Sequence, residues 1–325
     1  MEKQATIKQL AQWLKEHDDY VVTAHVNPDG DAAGSSMGAM LALRALGKRA
    51  FVCLPQKAPK MFDRYPFAEE ILTPEDELPF EPKTAFVLDP SEYNRMGGVC
   101  AIYDRCEARA MLDHHGTNAG FGDIWHIDAK RIAAGELVVE LIEELGVELT
   151  KEMATWLFIA ISTDSGHFRF GGTAPSTMYA VAKLLDAGLD LGTVSRELWN
   201  TRSKGRTHLM GVVLSGLQVS DDGLIAWARL TDDMLEKCGA RPEDNDGIVN
   251  YLLEIEGVEA AVLAEQRGEN TKFSLRSKNW LDVAEIARSL GGGGHVRAAG
   301  CTVNLPMEEA LEKVLGCTCK ALENK

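Results

Sequence analysis

An α/β protein is predicted, with an N-terminal domain built on an open, mostly parallel sheet and a smaller C-terminal α/β domain. Three observations predict it. In the first half, short apolar runs alternate with helical patterns, as they do where crossover helices connect parallel strands. In the second half, strand-like runs come in pairs joined by short polar turns, the pattern of antiparallel hairpins. The chain has 325 residues, a length that favours two domains over one.

The elements follow in order. The polar start Met1-Glu2-Lys3-Gln4-Ala5 leads into an amphipathic helix and does not read as a signal peptide. Tyr20-Val21-Val22-Thr23-Ala24 is a buried strand, and residues 34–46 are a helix stopped by Gly47. Residues 49–54 and 84–88 are further strands, and 110–112 a short one. Residues 133–145 are helical, closed by Gly146. Residues 151–161 have helical length but strand-rich composition, so their type stays open. Thr173-Ala174-Pro175-Ser176 starts a helix that Gly188 ends. The polar segment 190–210 reads as a linker between a first domain, 1–189, and a second, 211–325. There, 214–219 and 224–230 form a hairpin over Asp222-Gly223, and 260–266 and 271–276 a second around Gly268-Glu269-Asn270. Residues 280–290 are helical, 298–303 a strand and 307–322 the final helix.

Composition narrows the function. Apolar residues make up 45% and charged residues 26%, as in an ordinary globular protein. No apolar stretch is long enough to span a bilayer, so no membrane role is expected. The seven cysteines are scattered and odd in number, which suits a reducing cytoplasm, and Cys317-Thr318-Cys319 lacks redox or zinc spacing. The formal net charge is -15. Affinity for long nucleic acid draws on a basic face, so such a partner is not expected. A phosphate-handling enzyme of this charge should take short RNA oligonucleotides, dinucleotides or small nucleotides. A homodimer is compatible with the sequence.

Four segments each end in Asp or His. His25-Val26-Asn27-Pro28-Asp29-Gly30-Asp31 places one imidazole and two carboxylates within seven residues, where Pro28 and Gly30 can turn the backbone. Asp89 follows 85–88, Asp113-His114-His115 follows 110–112, and Asp164 follows 158–163. Any one of these is ordinary as a polar turn. Together they are a convergent set of carboxylate and imidazole donors, enough for two divalent cations. The absence of thiolate donors points to Mn²⁺, or Mg²⁺, ahead of structural zinc. In open α/β sheets ligands bind beyond the carboxyl ends of the strands, which is where His25, Asp89 and Asp113 stand.

With these motifs in this order, ending in Asp164-Ser165-Gly166-His167-Phe168-Arg169-Phe170, the chain resembles the DHH phosphoesterase superfamily, specifically the DHH–DHHA1 group of the nanoRNase/pAp-phosphatase type. The resemblance covers essentially the whole chain. It implies that His25 and Asp29 hold one Mn²⁺, that Asp31, His114 and Asp164 hold another, and that Asp89 bridges them. It implies that Asp113 orients His114 and that His115 faces the scissile phosphate as charge stabiliser or proton donor. The stretch Pro90-Ser91-Glu92-Tyr93-Asn94-Arg95 is less typical; Glu92 is a candidate for a further acid, and Asn27 and Arg95 are candidates for substrate contact.

Gly291-Gly292-Gly293-Gly294-His295 reads either as a flexible connector or as bare backbone that approaches phosphate. Arg276 and Ser277 can clamp a terminal phosphate. The resemblance to DHHA1 domains makes Arg276, Ser277, Gly292, Gly293, Gly294 and His295 substrate-binding candidates, with the second domain taking the distal end of the substrate and the linker acting as a hinge. The expected activity is Mn²⁺-dependent hydrolysis of short 5′-phosphorylated RNA, of adenosine 3′,5′-bisphosphate (pAp), or both. A cyclic di-AMP or pApA phosphodiesterase is the alternative enzyme, and a non-catalytic nucleotide sensor the alternative of another class.

Overall fold

The computed structural model describes residues 4–323 and divides into two units, one ending at Asn200 and one beginning at Thr201. Among the described residues no helix is long and apolar enough to cross a membrane, and all seven cysteines are free.

The first unit runs α1 (Ile7–Glu16), β1 (Tyr20–Thr23), α2 (Gly30–Ala45), β2 (Ala50–Val52), β3 (Thr84–Leu88), α3 (Cys100–Arg105), β4 (Ala108–Asp113), β5 (Ile124–Ile127), α4 (Ala134–Leu145), α5 (Lys151–Asp164), α6 (Pro175–Asp186) and α7 (Leu191–Trp199). The strands form an all-parallel sheet in the order β2-β1-β3-β4-β5. Alternate residues bury on opposite faces: Tyr20, Val22, Phe86 and Leu88 pack with α1, α2, α4 and α5, whereas Val21, Phe51, Val87 and Met111 pack with Met96, Val99 and Ile102. Burial on both faces is why these strands read as unbroken apolar runs.

Residues 151–161, left open between helix and strand, are helical. Their β-rich side chains fill a core in which α5 lies unusually close to α2. A Cβ at Gly30, Gly34 or Gly38 would stand 2.3 Å from Thr163, 2.3 Å from the Trp156 carbonyl and 2.6 Å from Leu157. This glycine stripe at every fourth position lets the backbones approach and carries Asp164 to the N-terminal end of α2. Residues 190–210, read as a linker, hold α7 and the first part of α8 (Lys204–Ser215). Their polarity is that of surface helices: α7 fully buries only Val194, and the side chains of Asp190 and Ser203 cap the two N-termini.

The second unit continues with β6 (Gln218–Val219), β7 (Ile225–Leu230), α9 (Asp232–Cys238), α10 (Ile248–Leu253), β8 (Ala260–Arg267), β9 (Asn270–Ser277), α11 (Val283–Ser289), β10 (Gly293–His295), β11 (Ala298–Val303) and α12 (Met307–Glu323). The hairpin β8–β9 forms as expected, and β6–β7 forms with a leading strand of only Gln218 and Val219, because Leu214 and Ser215, expected in that strand, end α8; both lie within a sheet ordered β10-β11-β9-β8-β7-β6. One face packs Phe273, Leu275 and Cys301 with α11 and α12, and the other packs Ala228 and Leu263 with α8, α9 and α10.

Candidate metal centre

Parallel register brings the donors level. Thr23 lies opposite Val87 and Leu88 opposite Leu112, so His25, Asp89 and Asp113 leave adjacent strands at one sheet edge. Asp89 Oδ2 lies 3.3 Å from His25 Nε2, and Asp89 Oδ1 lies 3.3 Å from His114 Nε2. His114 Nε2 is also 3.3 Å from Asp164 Oδ2 and 3.7 Å from Asp31 Oδ2, while His25 Nε2 is 3.8 Å from Asp29 Oδ1. Two of the three overlapping donor groups are His25–Asp29–Asp89 and Asp31–His114–Asp164, and the carboxylate of Asp89 faces a histidine of each; the third, Asp89–Asp113–His114–His115, joins them through Asp89 and His114.

The site is held by main chain. Asp29 caps α2, its Oδ1 accepting from the N–H groups of Asp31 and Ala32 at 3.0 Å. Asp31 is wholly buried, and its two oxygens accept from the N–H groups of Ala134 (2.6 Å) and Gly135 (2.8 Å) at the start of α4. His25 Nδ1 faces the Val26 carbonyl at 2.8 Å and His114 Nδ1 the Arg131 carbonyl at 3.3 Å. A carbonyl demands N–H from Nδ1, so Nε2 is the ring atom that faces the acids, and its lone pair is open to a cation once it has lost its proton. Asp89 itself has φ of +55°, and Asn27, Ser91, His167 and Phe168 are also left-handed. Non-glycine residues rarely adopt this conformation, at about 1–3 kcal/mol each, and five of the seven among the described residues lie on segments that carry or follow a donor, Asp19 and Phe67 being the others.

Electrostatically the cluster is crowded. Burial, with the charges of Asp89 behind it, pushes Asp164 up to about 7, and it pushes Asp31 well above the carboxylate range together with Asp89 and Asp164. Burial disfavours the Asp89 charge too, yet the imidazoles of His114, His115 and His25 that face it hold that carboxyl well below its usual range. Burial likewise pulls the imidazoles down, but Asp89, Asp31 and Asp164 lift His114 to about 10, and Asp113 and Asp89 lift His115 to about 10. Even so, Asp89 Oδ1 and His114 Nε2 are buried without a hydrogen-bond partner. Orphaned donor atoms facing one another in an oxygen and nitrogen cluster are what a divalent cation would satisfy, so the residues fit such an ion.

Some expected roles shift. Asp113 reaches His114 only through its main-chain N–H (2.7 Å); its Oδ1 takes the ring Nδ1 of His115 at 2.9 Å, while Oδ2 accepts from Ser91 N and Asn118 Nδ2. His114 follows too closely on Asp113 for its ring to turn back, so His115 receives the orienting carboxylate. Arg95 lies against the His25 loop: its carbonyl accepts from Val26 N at 2.6 Å, and its guanidinium stands 3.4 Å from His25 Nδ1. Asn27 is exposed, its main-chain N–H bound to Gln56 Oε1 at 2.7 Å. Glu92 is exposed and joins none of the donor groups.

In the second unit, Ser277 is turned into the core. Its hydroxyl donates to the Leu281 carbonyl at 2.6 Å, because strand alternation puts it on the face of Phe273 and Leu275. The hydroxyl half of the expected clamp is therefore spent on the fold. Arg276 takes the other face. It pairs with Ala298, which pairs with His295, so Arg276 and His295 flank a small residue about 10 Å apart, two strand spacings. The glycine segment is an edge strand. A Cβ at Gly294, where φ is +144°, would stand 2.5 Å from the Ala298 carbonyl, and one at Gly292 would stand 2.2 Å from the Gly300 carbonyl. Gly293, Gly294 and His295 are exposed. Burial holds the Arg276 guanidinium below its usual range, and among the described residues it donates to the neighbouring Leu275 carbonyl alone.

Comparison with known proteins agrees with this layout. The DHH family N-terminal domain matches residues 19–161 and the DHHA1 domain matches residues 228–322. A Thermus thermophilus protein named bifunctional oligoribonuclease and PAP phosphatase NrnA is 40% identical over 91% of this chain and 87% of its own. The Bacillus subtilis protein of that name is 24% identical over 91% and 92%. A crystal structure of an exopolyphosphatase-related protein from Bacteroides fragilis superposes with a TM-score of 0.89 at 29% identity, over 98% of this chain and 95% of that one. The expected fold class is borne out, and with sheet, donor cluster and C-terminal domain all in place, the chain belongs to the DHH–DHHA1 family of phosphoesterases.

Proposed function

We propose that this enzyme holds two Mn²⁺ ions and hydrolyses short 5′-phosphorylated RNA, and pAp, at the sheet edge of its first unit. One observation carries the reading: Asp89 presents its carboxylate to two histidine-containing donor groups and keeps an oxygen buried without a hydrogen bond. His25, Asp29 and Asp89 would hold one ion, and Asp31, His114 and Asp164 with Asp89 the other. Bound there, divalent ions supply Lewis acidity for the phosphoryl group and lower the pKa of water.

The chain's own residues do the rest. The Nδ1 carbonyl partners keep His25 and His114 in one tautomer, and α4 keeps Asp31 from turning away. His115 is a quarter exposed, and Asp113 and Asp89 favour its protonated form. An imidazolium so placed stabilises developing phosphate charge and can give its proton to a departing oxygen. The names of the relatives support oligoribonuclease and PAP phosphatase activity, and the net charge of -15 supports small substrates. Arg276 is the phosphate ligand expected of the second unit.

Kinetics on pAp and on 5′-phosphorylated RNA of two to about ten nucleotides test the substrate class, a length range set by single-strand footprints of compact domains. kcat/KM should fall as RNA lengthens and fall again without the 5′-phosphate. Arg276→Ala should cost about 1.5–3 kcal/mol on the phosphorylated substrate, the strength of a charge-assisted hydrogen bond, and much less on the unphosphorylated one. Equal rates on a dinucleotide and on a much longer RNA would reject this reading.

A further inference from the structure

We propose that Arg131 and Glu136, which belong to none of the donor groups, are positioning residues for Asp31–His114–Asp164 and decide whether an ion is held there. The inference rests on the two-ion reading above. Arg131 lies between β5 and α4. Its Nε reaches Asp128 Oδ2 at 3.2 Å, one terminal nitrogen reaches Glu136 Oε1 at 2.8 Å, and the other reaches Glu140 Oε2 at 2.8 Å. Glu136 is 2% exposed, and its second oxygen accepts from the buried Thr177 hydroxyl at 3.0 Å.

The Arg131 side chain is half-buried, but Glu136 is almost wholly so, and the desolvation of that carboxylate offsets much of the attraction. The pair locks a stretch of main chain on which two donors depend. The Arg131 carbonyl accepts from His114 Nδ1, and the N–H groups of Ala134 and Gly135 hold both oxygens of Asp31. Residues 131–136 are therefore tied at both ends by one Arg–Glu contact and carry the partners of His114 and Asp31 between them. The fit leaves little room, since a Cβ at Gly135 would stand 2.4 Å from Ala160 Cβ and 3.4 Å from Asp31 Oδ1. The other group has no such dependence: His25 is held by its neighbour's carbonyl, and Asp29 caps its own helix. Losing the lock should loosen one ion and spare the other.

The test titrates MnCl₂ into chelator-stripped full-length protein, followed by calorimetry and electron paramagnetic resonance. The variants are Arg131→Met, Arg131→Lys and Glu136→Gln. Lysine keeps the charge but cannot span three carboxylates, and Glu136→Gln keeps the shape. Wild type should bind two ions as a spin-coupled pair. The variants should keep one ion near wild-type affinity and bind the other about 10–100-fold more weakly, with the spectrum of an isolated ion, as expected when a ligand loses its supporting contact. Should Arg131→Met fail to fold, the two milder variants decide. Folded variants that bind both ions as wild type does, or that lose both equally, overturn the proposal. A wild type that binds fewer than two ions overturns the two-ion reading itself and this proposal with it.

Discussion

Asp89 in the first unit and Glu259 in the second are 2% and 3% exposed, and each sits where a strand meets a loop. Their surroundings differ in kind. Glu259 accepts from the main-chain N–H groups of Asn279 (3.0 Å), Trp280 (2.7 Å) and Leu281 (3.0 Å) and from Asn279 Nδ2 (3.0 Å). Burial disfavours its charge, but those N–H groups overcome this and hold the carboxyl below its usual range. Asp89 has side-chain neighbours that are themselves ionisable, and one of its oxygens is left without a hydrogen bond. Fixed amides make a buried carboxylate part of the fold. A carboxylate balanced by other titratable groups keeps a demand that a cation can meet.

The largest effect that would sharpen this contrast is on turnover. Asp89→Ala should reduce kcat by at least about a thousandfold, since nucleophile generation and charge stabilisation fail together. The loss is read on folded protein, as turnover and not as stability. A mild loss of turnover with both ions still bound would take Asp89 out of the bridging role.

Glu259→Gln should do the reverse. It places an amide nitrogen against N–H donors and should cost about 2–3 kcal/mol of stability, while the folded fraction keeps its kcat. Denaturant unfolding monitored beside activity checks this, and an unchanged midpoint would break the comparison.

A smaller effect distinguishes the two sites by pH. Asp164, raised to about 7, contributes stability to the metal-free protein that is complete below about pH 4 and lost as pH rises through 7. His114 and His115, raised to about 10, contribute stability complete below about pH 6.5 and lost toward 10. Glu259 runs oppositely, its contribution present above about pH 4.3 and lost in acid. Between pH 5 and 9 the chelated protein should therefore lose melting temperature as pH rises. With Mn²⁺ present the trend should reverse, because binding must displace those protons. Identical pH profiles with and without Mn²⁺ would contradict this.

Much of this was legible in the residues. Alternating apolar runs marked β1, β3 and β4, and the chemistry of Asp, His and the NPDGD turn marked the donors that follow them. β5 was not legible, since its four residues are all half-buried and make no apolar run. The α5 ambiguity could have been resolved by the glycines at 30, 34 and 38, whose spacing requires a closely packed helix. Ser277 shares strand parity with Phe273 and Leu275, which already pointed it inward. The left-handed backbone at Asp89 and the amides of α4 on Asp31 depend on tertiary contacts, and no local pattern announces them.

The central claim is that the crowded acids are a catalytic metal site. Hydrolysis of a 5′-phosphorylated diribonucleotide by exhaustively chelated protein, before and after Mn²⁺ is restored, tests it most directly. The account predicts no turnover without metal, recovery with Mn²⁺ saturating at two ions per chain, and far weaker recovery with Ca²⁺, whose larger size and looser coordination suit this donor set less well. Undiminished hydrolysis by the metal-free protein would contradict it.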